Sequence, residues 1–359
     1  IGVLLLLLLA TTPVLGIRSG IALDIPSLSQ TPSGKGALVL ARSFSAGMTA
    51  PLEIVVHPRA AERRPPSSGS GGHARRSVAA SGALPAARRL RSELHTDRRV
   101  AGVVLHVYKA GVLLTVIPAV AIDSSAAQDL VRNIRARLAP TIEAHEGVNV
   151  LVGGWPAQSL DASTEIAGKT PVVLAITLGI ALIFLLLVFR SVVLPLKAVA
   201  MNLLATGATL GLVVLVFQQG HGERLLDFSS PGFIQSYLPL CMFVLLFGLS
   251  MDYEIFLIRR MQEAWRETSD NRRSVASGVE HTARPISAAA AIMVVVFGSN
   301  VTAHMLELKE FGFALAAAIA IDATLVRLVL VPAFMSLLGA RNWWLPDRLS
   351  RVLPRLEVH

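Results

Sequence analysis

Residues 239–260 read PLCMFVLLFGLSMDYEIFLIRR. The run from Leu238 to Ile258 is apolar and long enough to cross a bilayer. Asp252, Tyr253 and Glu254 stand near its end, and Arg259 and Arg260 close it. A carboxylate inside a hydrophobic span costs about 2.5–3.5 kcal/mol on insertion scales, so it marks an ion or proton path or a charge that binds helices together. Asp252 falls about four turns into the span. Gly248 precedes it by one turn, so a neighbouring helix is expected to approach closely there and bury the acid. Glu254, nearer Arg259, is expected at the interface.

Composition places the whole chain in the same class. Of 359 residues, 53% are hydrophobic and only 16% charged, against about 25% charged in soluble domains. The formal charge is +9, with much of the arginine flanking apolar spans, which favours retention of positive charge on the cytoplasmic side over nucleic-acid binding. The one cysteine, Cys241, excludes an internal disulfide framework. The chain opens on Ile1 and runs directly into IGVLLLLLLATTPVLGI, without the basic start and small-residue cleavage site of a signal peptide. The expectation is a truncated membrane helix over residues 1–17, with more sequence upstream.

Residues 18–170 are written differently. Strands are predicted at Leu52–His57, Val100–Tyr108, Val112–Ile117 and Val148–Val152 by alternation and β-branched content. Helices are predicted at Leu84–His95 and at Ser124–Leu138, the latter capped by Ser124 with Leu130, Ile134 and Leu138 on one face. The order β-α-β-β-α-β is the split βαβ (ferredoxin-like) pattern. Residues 60–82, rich in Gly, Ser, Pro and Arg, read as a flexible insertion.

Five further spans follow at about 171–189, 192–217, 238–258, 286–301 and 311–338, then a tail over 339–359. Gly207 and Gly211 form a small-xxx-small face for another helix. Loops 190–197 and 259–284 and the tail carry the Arg/Lys excess and are expected in the cytoplasm, which puts residues 18–170 outside it. The last span carries Asp322 and Arg327. Five apart on an α-helix, they point to different sides, so each is expected to pair with another helix. Ser287, Ser299 and Thr324 are further hydroxyls for a polar path, packing being the plainer role. There is no G-x-x-x-x-G-K-[ST] cradle for ATP, no H-E-x-x-H, and no cofactor or metal motif. Uphill transport would then draw on an ion gradient.

Three segments carry a resemblance. FGLSMDYEIFLIRRMQEAW (247–265), IAGKTPVVLAITLGIALIFLLLVFRSVVLPLKAVAMNLL (166–204) and FGFALAAAIAIDATLVRLVLVPAFMSLLG (311–339), with NWWLP (342–346), are similar to the MMPL family of the resistance-nodulation-division superfamily. Residues 1–55 resemble it more loosely. The resemblance implies a plasma (inner) membrane transporter of two similar halves, each with one helix, an extracytoplasmic porter-like domain and five more helices. This chain resembles the second half. The resemblance assigns Asp252 and Tyr253 to a proton relay whose partner pair lies in a missing N-terminal half or second subunit. It implies proton-driven export of lipids or other hydrophobic or amphipathic molecules, and no enzymatic activity. The alternatives are a lipid-sensing or scaffold module of related fold, or an inactive fragment.

Overall fold

The computed structural model describes residues 1–21, 31–59 and 72–352. It divides into two units, residues 19–165 with 231–233, and residues 1–18, 166–230 and 234–359. The chain starts in the second with a short apolar helix, α1 (Gly2–Thr11), prolonged by a 3-10 turn over Thr12–Gly16.

The first unit holds α2 (Pro32–Ser43), β1 (Leu52–Pro58), α3 (Gly72–His95), β2 (Val100–Tyr108), β3 (Gly111–Pro118), α4 (Ser125–Asn133), α5 (Ala139–Glu146) and β4 (Val148–Gly154). All strand pairs are antiparallel and the order is β2-β3-β1-β4, with the first and last strands adjacent in the sheet. That is the order the split βαβ pattern requires. Alternation sends Leu52, Ile54 and Val56 of β1 and Val112, Leu114 and Val116 of β3 to one buried face. Ala83, Ala86, Ala87, Leu90 and Leu94 of α3 cover that face, a stripe at helical spacing, beside Leu130 and Ile134. The Ser124 side chain accepts the Ala127 N–H as the α4 cap. Gly147 stops α5 in the left-handed region at φ 62.

Two boundaries differ from expectation. Of the insertion expected over 60–82, residues 60–71 lie outside the described residues, and the rest forms the first turns of α3. The domain edge expected at 170 lies close to the division between the two units after Glu165, and it falls inside a helix instead of a loop. One helix, α6 (Trp155–Phe189), runs through it with Pro171 inside, and its first turns place Ala157 and Leu160 in the core of the first unit.

The second unit continues with α7 (Val193–Val213), extended by a π-turn over Val214–Gln218, and the single turn α8 (Glu223–Leu226). Then come α9 (Leu238–Thr268), α10 (Asn271–Ser299), α11 (Leu306–Ile321), a π-helix over Asp322–Leu330, and α12 (Val331–Leu338). A last short helix, α13 (Asp347–Val352), follows. Five helices among the described residues are long and apolar enough to cross a membrane; α1 with its 3-10 turn is shorter. Helices α6 and α10 leave most of their apolar surface open, while α7 and the 306–343 helix are the most buried.

The hydrophilic loop expected at 259–284 is instead a helical hairpin. α9 continues to Thr268, Ser269 turns the chain at φ 51, and the Asp270 side chain caps α10 by accepting the Arg272 and Arg273 N–H groups. The hairpin is tightly closed, since a Cβ on Gly278 would run into the Met261 side chain.

The small face of α7 receives α1. A Cβ on Gly207 would meet Thr11 at 2.9 Å, and one on Gly211 would lie far inside contact distance of the Ala10 carbonyl. Gly211→Val is therefore expected to destabilise the protein by about 1–3 kcal/mol. Thermal unfolding in detergent should show this drop and no comparable one for Gly179→Ala, where nothing lies within 4 Å.

In the first unit Arg99 grips Asp97 with two bonds, Nε to Oδ1 at 3.0 Å and Nη2 to Oδ2 at 2.7 Å. The Arg99 hydrogen bond holds the Asp97 carboxyl below its usual range. The stabilisation is present above the unfolded carboxylate pKa and is lost as pH falls through the depressed folded value. Asp97→Asn should cost about 1 kcal/mol or less at neutral pH. Proteolysis rates measured across pH should show the difference disappear in acid.

Candidate functional site

Helix α9 is two-faced because residues four apart share a side and residues two apart do not. Ser250 and Glu254 point inward and are buried, while Asp252, midway between them, is exposed. The sequence-based expectation of a buried Asp252 is corrected for this chain. Gly248, one turn away, is exposed too, with nothing within 4 Å of its Cβ position. Asp252 makes no hydrogen bond or ion pair among the described residues. Around it the same face carries Val244, Leu245 and Phe256, all exposed.

The inward face meets the last of the long helices, residues 306–343. Asp322 and Arg327 are 5% and 4% exposed and pair with each other, Arg327 Nε to Asp322 Oδ2 at 2.8 Å and Nη2 to the same oxygen at 2.7 Å. The expectation that five-residue spacing would separate them fails because this stretch is a π-helix. Its i→i+5 hydrogen bonding brings residues five apart onto one side. The expected contacts with another helix also form. Arg327 Nη2 donates to the Ser250 carbonyl at 2.6 Å and to its Oγ at 3.0 Å. The Ser250 hydroxyl lies 2.6 Å from Asn202 Oδ1 on α7 and 3.2 Å from Asp322 Oδ1, with one proton to give to either.

Tyr253 is half-buried at the edge of this group, with the Arg327 guanidinium 5.2 Å from its ring centroid. Glu254, expected at the membrane interface near Arg259, is buried among the helices. It is 6% exposed, on the cluster's side of α9, within electrostatic reach of Lys197, Arg327 and Asp322. Ser287, Ser299 and Thr324 are exposed and stand apart from the cluster. Sequence reasoning thus missed Asn202, Ser250 and Lys197, and it named Glu254 without placing it in the cluster. The available signal was the one-turn spacing of Ser250 and Glu254 within an apolar span.

The arrangement is a desolvated ionic cluster at the junction of α7, α9 and the last helix, beside an exposed carboxylate on α9. The MMPL family model matches residues 110–355. The chain belongs to the MMPL family. It is 40% identical over 245 residues to the mycolic acid-containing lipids exporter MmpL11 of Mycolicibacterium smegmatis, covering 68% of this chain and 25% of that protein. It is 39% identical over 217 residues to the trehalose monomycolate exporter MmpL3 of Mycobacterium tuberculosis, 60% of this chain and 23% of the other. It is 33% identical over 246 residues to membrane protein YdfJ of Bacillus subtilis, 68% and 33% respectively. The MMPL chain described here spans a quarter to a third of the length of these relatives. As a family member with five apolar helices it is a multi-pass protein of the plasma (inner) membrane.

Removing one partner of the buried pair leaves the other charge uncompensated. Arg327→Met is expected to cost about 3–5 kcal/mol, while Asp322→Leu with Arg327→Met recovers most of it. Thermal unfolding of both variants in detergent checks the order.

Proposed function

We propose that this MMPL chain acts as the second half of an exporter driven by the proton-motive force, moving lipids or other hydrophobic or amphipathic molecules. The observation that carries the reading is the position of Asp252. A carboxylate stands on an exposed face of α9 otherwise made of Val244, Leu245, Gly248 and Phe256. A charge facing hydrocarbon is costly, and a second helix bundle with a protonatable or hydroxyl partner would relieve it. The short span of this chain relative to its relatives agrees with such a missing bundle.

In this reading α1 and the five longer helices form a one-plus-five arrangement, and residues 18–170 form an extracytoplasmic porter-like domain. Asp252 and Tyr253 are the proton relay of this half, and Asp322 with Arg327 is the charge network that responds to it. Protons supply the energy, about 2.3 kcal/mol for each charge crossing 100 mV. The lipid class is suggested by the names of two relatives, exporters of mycolic acid-containing lipids and of trehalose monomycolate. The activity is transport, without enzymatic turnover.

Asp252 has no partner among the described residues, so Asp252→Asn should leave this half folded. In the full-length transporter it should abolish export that is sensitive to an uncoupler. Efflux of labelled lipid from cells or vesicles, with and without a collapsed proton gradient, measures this. Export unchanged by the substitution removes Asp252 from the mechanism. Export indifferent to the uncoupler overturns the proton-driven reading.

A further inference from the structure

Helices α7 and α9 and the last helix enclose a small cavity, on the scale of one water molecule. Its polar lining is Asn202, Ser250, Glu254, Asp322 and Arg327. Two buried atoms of this lining have no hydrogen-bond partner among the described residues, Glu254 Oε1 and Arg327 Nη1. Lys197, 7% exposed, has its Nζ unpaired among them as well and acts on Glu254 electrostatically. A buried carboxylate oxygen without a partner is expensive, and a water or a bound proton removes the cost.

We propose that Glu254 is a second proton-carrying carboxylate, and that one water in this cavity joins it to Arg327 and the Asp322–Ser250 junction. Ionised, Glu254 accepts a hydrogen bond from the water and balances Lys197, so the cluster holds two carboxylates and two cations and is neutral. Loading is a transfer from hydronium: the carboxylate gains the proton, the water remains, and the cluster gains one positive charge. That charge appears next to Arg327, whose bonds to Asp322 and Ser250 tie α9 to the last helix. The charged groups facing Glu254 are Lys197 from α7 and Asp322 and Arg327 from the last helix. Asp252 lies on the other side of α9. Glu254 is one turn, about 6 Å, from Ser250 toward the arginine-bearing end of the helix. It therefore lies between the Ser250 junction and that end of the helix.

That this proton drives export rests on the reading above; the existence of the site does not. Infrared difference spectroscopy of the full-length transporter in lipid nanodiscs tests it directly. Stepping the pH downward should raise a carboxylic-acid C=O band that shifts in D2O. The band should be lost in Glu254→Gln, retained in Asp252→Asn, and displaced but present in Glu254→Asp, which also shows that the site tolerates change. A band set identical in native protein and Glu254→Gln overturns the proposal. Uncoupler sensitivity of export, measured in parallel, separates the two claims. A Glu254 band with uncoupler-insensitive export overturns the proton-driven reading alone. Uncoupler-sensitive export that Glu254→Gln leaves unchanged, with no band lost, overturns the Glu254 site alone.

Discussion

Desolvation of the Asp322–Arg327 pair is the constraint around which the membrane helices are arranged. Taking two charges out of water costs several kcal/mol per ion, and attraction between them offsets this only with good geometry and further hydrogen bonds. The chain supplies both. Local π-helical winding brings the two side chains together, and Ser250 offers the guanidinium a carbonyl and a hydroxyl. A π-helix has poorer intrinsic geometry than an α-helix and is used in short pieces, frequently at functional sites. Here it is what permits pairing within one helix.

Consequences spread from that pair through packing. Ser250 must stand where the pair can reach it, and Asn202 where it accepts the Ser250 hydroxyl, which sets α7 and α9 against the last long helix. α7 also presents Gly207 and Gly211 to α1, so its backbone is approached closely there. Two long helices that take no part in the cluster, α6 and α10, keep much of their apolar surface open, with Ile176, Ile180 and Ile183 on one and Ile292, Val295 and Val296 on the other. Such apolar side chains carry no polar group that needs a hydrogen-bond partner, so lipid tails or another apolar helix can cover them.

Features that depend on short stretches were legible in the sequence. Alternation in β1 and β3, the Ser124 cap and the glycine face of α7 each follow from residues within a turn or two. The arginine-rich stretch 259–284 was misread because positive charge marks where a helix leaves the hydrocarbon, not where it stops winding. Met261 and Gly278 hold the hairpin together beyond that point. The Asp322–Arg327 pair was missed for a related reason. An α-helical wheel puts residues five apart at about 140°, and nothing local announces a change of winding. Glu254 with Lys197 joins residues far apart in the chain, so only the fold brings them together. The exposure of Asp252 was illegible because it depends on what stands beside α9.

The two faces of α9 limit how a proton event on one could reach the other. Asp252 is about 200° round the helix from both Ser250 and Glu254. A rigid helix cannot present it to the inner cluster. Tyr253 lies between the faces, about 100° from Asp252 and from Glu254, and its ring touches Arg327. A cation over an aromatic face is worth about 0.5–2 kcal/mol depending on desolvation. That is less than breaking the buried pair costs, about 3–5 kcal/mol. Tyr253 is thus a contact that can change without breaking the ionic cluster. A shift of its phenol toward a new partner of Asp252 would alter the environment of Arg327 while the Asp322 bond stays in place. The adjacency of Asp and Tyr in the sequence therefore has a geometric meaning in this chain, since one residue faces outward and the next leans on the Arg327 cation.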